Sequence, residues 1–191
     1  MRSLSGRRVV VIACGQRDRG DDAVALLAAE RLGEQLARDE RLARGDGAPP
    51  TPEVHLAGGL EVEDVLAIGA DQALLVVDAV DGPAPGAVIV RPLASLLPLA
   101  GGDAPPVSAR DGHGPALGGL APRSSHAIPI PDVLALAAAL RPGLPTGSFI
   151  GIGFASAAFG QGLSPAVEAA LPALVEAIAQ EVRRLRGDPG P

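Results

Sequence analysis

From Arg8 to Cys14 the chain reads RVVVIAC, apolar at every position after the first and rich in β-branched residues, with no polar alternation. A strand covered on both faces, as in a parallel sheet, carries this pattern. From Ala23 the apolar residues Val24, Leu27, Ala28, Leu32 and Leu36 recur with charges between them, which predicts an amphipathic helix. Between the two lies GQRDRGDD, three acids and two arginines in eight residues. A polar, Gly- and Pro-rich connection over 38–52 leads to a short strand at 53–56, broken by Gly58-Gly59. Residues 60–68 suit a helix, and 73–77 form a second fully apolar strand ending at Asp78, with the turn sequence DGPAPG close behind. A short strand follows at 87–91.

Residues 92–123 are dominated by Gly, Pro and Ala and read as a long loop; loops of this length are usually functional or disordered. Ser124-Ser125-His126 closes it before a helix at about 132–140, and 148–152 give a last buried strand. Ser164-Pro165 marks a helix start, a capping hydroxyl followed by proline at the first helical position. Val167, Leu171, Leu174, Val175, Ile178, Val182 and Leu185 trace one face of that helix, which Pro172 is expected to kink or to split in its first turn. Strands alternating with helices predict an α/β sandwich around a mostly parallel sheet. One domain is expected over 1–191, with 187–191 as a disordered tail.

Composition narrows the possibilities. With 191 residues, 47% of them hydrophobic, the chain is long enough to bury one sizeable core. A net charge of −6, with three Phe and no Tyr or Trp, argues against nucleic acid, which asks for a basic face and stacking rings. All sixteen basic residues are arginine, so no lysine is present to form a Schiff base or to serve a phosphate-binding loop. Cys14 is alone, cannot form an internal disulfide and reads as packing, in keeping with the cytoplasm. The arginines before the first apolar run resemble an export signal in order only: the run stops at Arg17 without a cleavage site and is too short to span a bilayer. No targeting segment and no membrane partner are expected.

In sheets of this kind ligands bind beyond the carboxyl ends of the strands. Asp21 and Asp22 follow the first strand, Asp78 ends the third, and His126 arrives from the far side of the long loop. If those strand ends are neighbours, carboxylate oxygens and an imidazole meet in one crevice, a donor set that suits nickel or zinc or that positions and activates a water. Plainer roles stand beside these. Asp21 and Asp22 favour a helix N-terminus, Asp78 opens a turn, and His126 is a surface residue where a helix begins. His55 fits a half-buried strand and His113 a solvated loop. No G-x-S-x-G elbow, H-E-x-x-H pair or cysteine cluster is present. Gly151-Ile152-Gly153 followed by Ser156 is a partial dinucleotide-loop pattern without its third glycine.

VVVIACGQRDRGDDAVALLAAERL resembles the opening of the hydrogenase maturation endopeptidases: an apolar strand, G-x-G-N, a short loop, a D-[DE] pair and a helix. LLVVDAVDGPAPG resembles their strand with D-A-V-D, SSHAIPIPDVLALA their S-x-H segment before a helix, and GQGLSPAVEAALPALVEAI their G-L-[ST]-P-x-V-E helix. Four segments in the family's order span nearly the whole chain. The resemblance implies a three-layer sandwich, a twisted sheet with helices on both faces. It also implies an endopeptidase that removes a C-terminal extension from the large-subunit precursor of a nickel-iron hydrogenase once nickel has been inserted. It places the metal-contacting and catalytic residues at Asp22, Asp78 and His126, with nickel supplied by the precursor rather than held by the enzyme, and suggests a cytoplasmic monomer. A peptidase of the same fold acting on another precursor, a chaperone that grips a metallated precursor without cutting it, and a nucleotide-binding domain using the Gly151 segment are the rival readings. The chain departs from the pattern at Ala13, Gln16, Ala23 and Ala25, and Asp22 stands where many members have Glu.

Overall fold

The computed structural model describes residues 6–42, 51–97 and 128–187. Five strands, β1 (Arg8–Cys14), β2 (Glu53–Ala57), β3 (Gln72–Val80), β4 (Val88–Pro92) and β5 (Gly147–Gly153), form one sheet in the order β2-β1-β3-β5-β4. The pairings β1 with β2, β1 with β3 and β3 with β5 are parallel, whereas β4 runs antiparallel to β5 at the edge. The helices are α1 (Val24–Leu42), α2 (Val62–Leu66), α3 (Ile130–Leu140) and α4 (Pro165–Arg186), with short 3-10 helices at Gly20–Ala23 and Leu93–Leu96.

Alternate strand residues feed two cores. Val9, Val11 and Ala13 of β1, Leu75 and Val77 of β3, and Ile150 and Ile152 of β5 pack under α1 and α4. Val10, Ile12, Cys14, Leu74, Val76 and Phe149 pack on the other side, under α2, α3 and the 93–96 turn. Covering both faces is what the unbroken apolar runs of β1 and β3 require, each buried Val, Leu or Ile contributing roughly 1.5–3 kcal/mol. The sandwich with helices on both faces is thus the observed architecture, and all seven apolar positions expected on one face of α4 are buried.

Several boundaries differ from expectation. β3 continues two residues past Asp78, so that carboxylate lies within a strand rather than at its end. Residues 92–96 belong to β4 and the 93–96 turn, where Leu93 is wholly buried, so no loop begins at 92; residues 98–123 of the expected loop, with His113, and the Ser124-Ser125-His126 segment that closes it lie outside the described residues. α1 extends to Leu42, into the predicted connection. His55 is exposed on edge strand β2, its Nε2 2.9 Å from Glu53 Oε1, rather than half-buried. α4 continues through Pro172 to a left-handed Gly187 (φ 80°), a common helix stop; the rest of the predicted tail lies outside the described residues. Among the described residues no helix is long and apolar enough to cross a membrane.

Candidate functional site

From β1 the chain passes through α1 to β2 on one side, and from β2 through α2 to β3 on the other. The connections diverge between β1 and β3, the switch point beyond whose strand ends α/β sheets place their ligands. Asp22 and Asp78 both lie there. Asp22 sits in the 3-10 helix that follows β1, and Asp78 on β3 among the even-numbered residues that face α2 and α3.

Local geometry fixes Asp22. Gly15 ends β1 with φ 146°, and a Cβ there would lie 2.0 Å from the Asp22 carbonyl oxygen. The Asp22 backbone therefore packs directly on the glycine, an approach that a side chain would block. The Gln16 backbone N–H then donates to Asp22 Oδ2 at 3.0 Å. Because a main-chain group makes this bond, it does not depend on the identity of the side chain at position 16. Ala13, Ala23 and Ala25 are all buried, so three of the departures are small residues within the core.

The two carboxyls influence one another. Burial raises the Asp22 carboxyl above its ordinary value, against the Gln16 N–H and the positive charge of Arg19. Burial, and then the negative charge of Asp22, push Asp78 up to about 8, although the Ala79 N–H donates to its Oδ1 at 2.8 Å. Near neutral pH the pair thus retains a proton. Cys14 is buried among the core residues under α2 and α3, and burial, reinforced by Asp78, Asp64 and Asp22, pushes its thiol well above its ordinary range, in keeping with packing rather than nucleophilic chemistry.

Asp64 was not singled out from sequence. It lies on α2, where it accepts the Glu61 N–H at 2.9 Å, and its charge reaches Cys14. The acidic residue three places after Glu61, at the start of an apolar run, is the capping-box signal that marks it. A groove of about 760 Å³ beside α2 is lined by Gln16, Leu60, Asp64, Val133 and Leu136 among others.

Asp21 turns away from the pair. It is fully buried and its carboxylate accepts four bonds from the β5–α4 connection: the backbone N–H groups of Ala155 (2.8 Å), Ser156 (3.1 Å) and Ser164 (2.5 Å), and the Ser164 hydroxyl (2.8 Å). Burial alone would raise this carboxyl, but these donors outweigh it and hold it below the ordinary value. Asp21 therefore serves the start of α4 rather than its own helix, and Ser164 gives its hydroxyl to Asp21 instead of capping α4.

His126, the third proposed ligand, lies outside the described residues, and among those described no group of three or more His, Cys, Asp or Glu is arranged to hold a metal ion. Gly151 and Gly153 lie inside β5 and no helix opens after them. A Cβ on Gly153 would meet the Ala84 carbonyl oxygen at 2.2 Å and one on Gly151 the Val80 Cγ2 at 2.9 Å. These glycines allow close chain packing and form no phosphate loop.

No protein-family model and no curated relative matches the sequence. Solved structures do match its fold. The [NiFe] hydrogenase maturation protease HycI from Thermococcus kodakarensis KOD1 aligns over 93% of this chain and 94% of its own, with TM-score 0.56 and 22% identity. The hydrogenase maturating endopeptidase HybD from E. coli aligns over 93% of both chains, with TM-score 0.60 and 19% identity. The HybD protease of T. kodakarensis aligns over 91% and 97%, with TM-score 0.55 and 22% identity. Sequence motifs and backbone thus lead to the same proteins: this chain has the fold of the hydrogenase maturation proteases.

Proposed function

We propose that this chain is an endopeptidase that removes the C-terminal extension of a nickel-iron hydrogenase large-subunit precursor after nickel insertion, acting as a cytoplasmic monomer. The observation that carries this reading is the convergence of Asp22 and Asp78, two carboxyls of raised pKa, at the switch point of this particular fold.

Nickel enters as part of the substrate. Asp22, Asp78 and His126 engage the metal that the precursor already carries, and an arriving divalent cation draws the carboxyl pair into its ionised form. A precursor without nickel offers no such contact, so cutting becomes a check on metal loading. The chain has no lysine, and Cys14 is buried with its thiol pushed up, so water is the nucleophile. Hydrolysis needs a base for that water and an acid for the leaving amine; an ionised carboxylate of the pair takes the proton from the water and then passes it to the leaving amine. Asp21, bound to the β5–α4 connection, takes no direct part.

The test is co-expression with a nickel-loaded large-subunit precursor, followed by intact-protein mass spectrometry. Loss of the C-terminal extension is expected with the wild-type chain, and an intact precursor with Asp22→Asn, Asp78→Asn or His126→Ala. Cutting by all three variants would remove the proposed site. A wild-type chain that binds the precursor and leaves it whole is a chaperone, not a protease.

A further inference from the structure

Between β5 and α4 the chain reads FASAAFGQGLS, and one of the protein's three phenylalanines, Phe159, is 80% exposed there. The fold forgoes at this position the stabilisation that burying a Phe side chain brings. The segment is nevertheless clamped. Besides the four bonds to the Asp21 carboxylate, the Asp21 N–H donates to the Ser156 carbonyl (2.9 Å), the Gly20 N–H to Gln161 (3.2 Å), the Gly160 N–H to Asp18 (2.7 Å), and Arg19 Nε to Ala157 (3.4 Å). Contact is so close that a Cβ on Gly20 would lie 2.8 Å from the Ser156 oxygen. Every one of these bonds joins the Phe159 segment to residues 18–21, immediately before Asp22.

Single exposed apolar residues are ordinary on protein surfaces. An exposed aromatic on a segment held this firmly is different, because it loses little freedom when a partner covers it, and aromatic anchors dominate interface energetics. Ala157 and Ala158, which precede Phe159, line a mostly polar depression of about 470 Å³ together with Arg19, Asp81 and Ser156, so polar surface borders the exposed aromatic as at the rim of a protein-binding patch.

We propose that Phe159 is the apolar anchor by which this chain docks the folded body of the protein it cuts, and that Asp21 is the positioning residue holding that anchor beside Asp22. The inference rests on the function proposed above and adds a contact remote from the scissile bond. Its occupant is the precursor because the anchoring segment is continuous, through its hydrogen bonds, with the loop that carries Asp22. The partner surface is an apolar concavity that receives the Phe159 ring.

Binding is measured by calorimetry, titrating nickel-loaded precursor into the Asp78→Asn chain with and without Phe159→Ala. Initial cutting rates of the chain with Asp78 intact separate KM from kcat. Phe159→Ala is expected to weaken binding by about tenfold or more and to raise KM with kcat retained and the unfolding temperature unchanged. Phe159→Leu is expected to recover part of the loss. Binding and KM both within about twofold of the parent chain overturn the anchor. Asp21→Asn is expected to raise KM likewise; a weaker fold with unchanged KM makes Asp21 merely structural and overturns its positioning role. A wild-type chain that binds without cutting overturns the proposed activity alone, since the binding arm still decides the anchor; a precursor neither bound nor cut overturns both.

Discussion

Asp21 and Asp22 are adjacent, yet one carboxyl is held below its ordinary value and the other above it. Asp21→Asn exchanges an acceptor-only group for one that faces four donors with half its acceptors. We expect a loss of roughly 2–4 kcal/mol in urea unfolding. The Asp21 contribution is present above its unfolded pKa, near 3.8, and is lost as pH falls through its lower folded value. Asp78 has the opposite sign. Between about pH 4 and 8 its folded carboxyl keeps a proton that the unfolded chain has released, so stability falls as pH rises through that window, by about 1.4 kcal/mol per pH unit at most. Asp78→Asn should flatten the profile and leave the fold more stable than wild type at pH 8, measured by urea unfolding across pH. The nearness of Asp22 to Asp78 was legible in the sequence because each stands late in, or just after, an apolar strand run, although Asp78 lies inside β3 rather than at its end. The role of Asp21 was not, because its acceptor bonds reach 134 to 143 residues along the chain and an acid before a helix reads locally as a cap.

At the scale of elements, β1 and α4 were legible because a two-sided apolar run and a seven-residue helical face each specify one packing arrangement. The direction of β4 was missed, although the chain contains the reason. Only residues 81–87 join β3 to β4, fewer than the dozen or so that a parallel crossover needs, so β4 must run back along the sheet. Pro172 does not split α4, which continues through it, and the residue is exposed. Pro172→Ala restores a helical N–H and is expected to stabilise the chain by about 1–3 kcal/mol in thermal or chemical unfolding. In the β1–α1 connection, Gly15→Ala pushes a methyl group onto the Asp22 carbonyl. We expect a loss of at least about 2 kcal/mol and of precursor cutting with it, measured by unfolding and by mass spectrometry.

Across the whole molecule, two cores meet through one sheet, and β5 with α4 completes the larger of them. A chain stopped after residue 146 lacks the partner that covers β3 on one side, and we expect it to show no cooperative thermal unfolding transition. The eight bonds between residues 18–21 and 155–164 add a condition of timing. All three residues proposed to meet the metal precede residue 127 in the order of synthesis. The loop that aims Asp22 lacks its clamp to the β5–α4 connection until the last quarter of the chain has left the ribosome. A nascent chain of this protein therefore carries its Asp22 loop only half held, and under the function proposed above its own last helix must be in place before it acts on another protein.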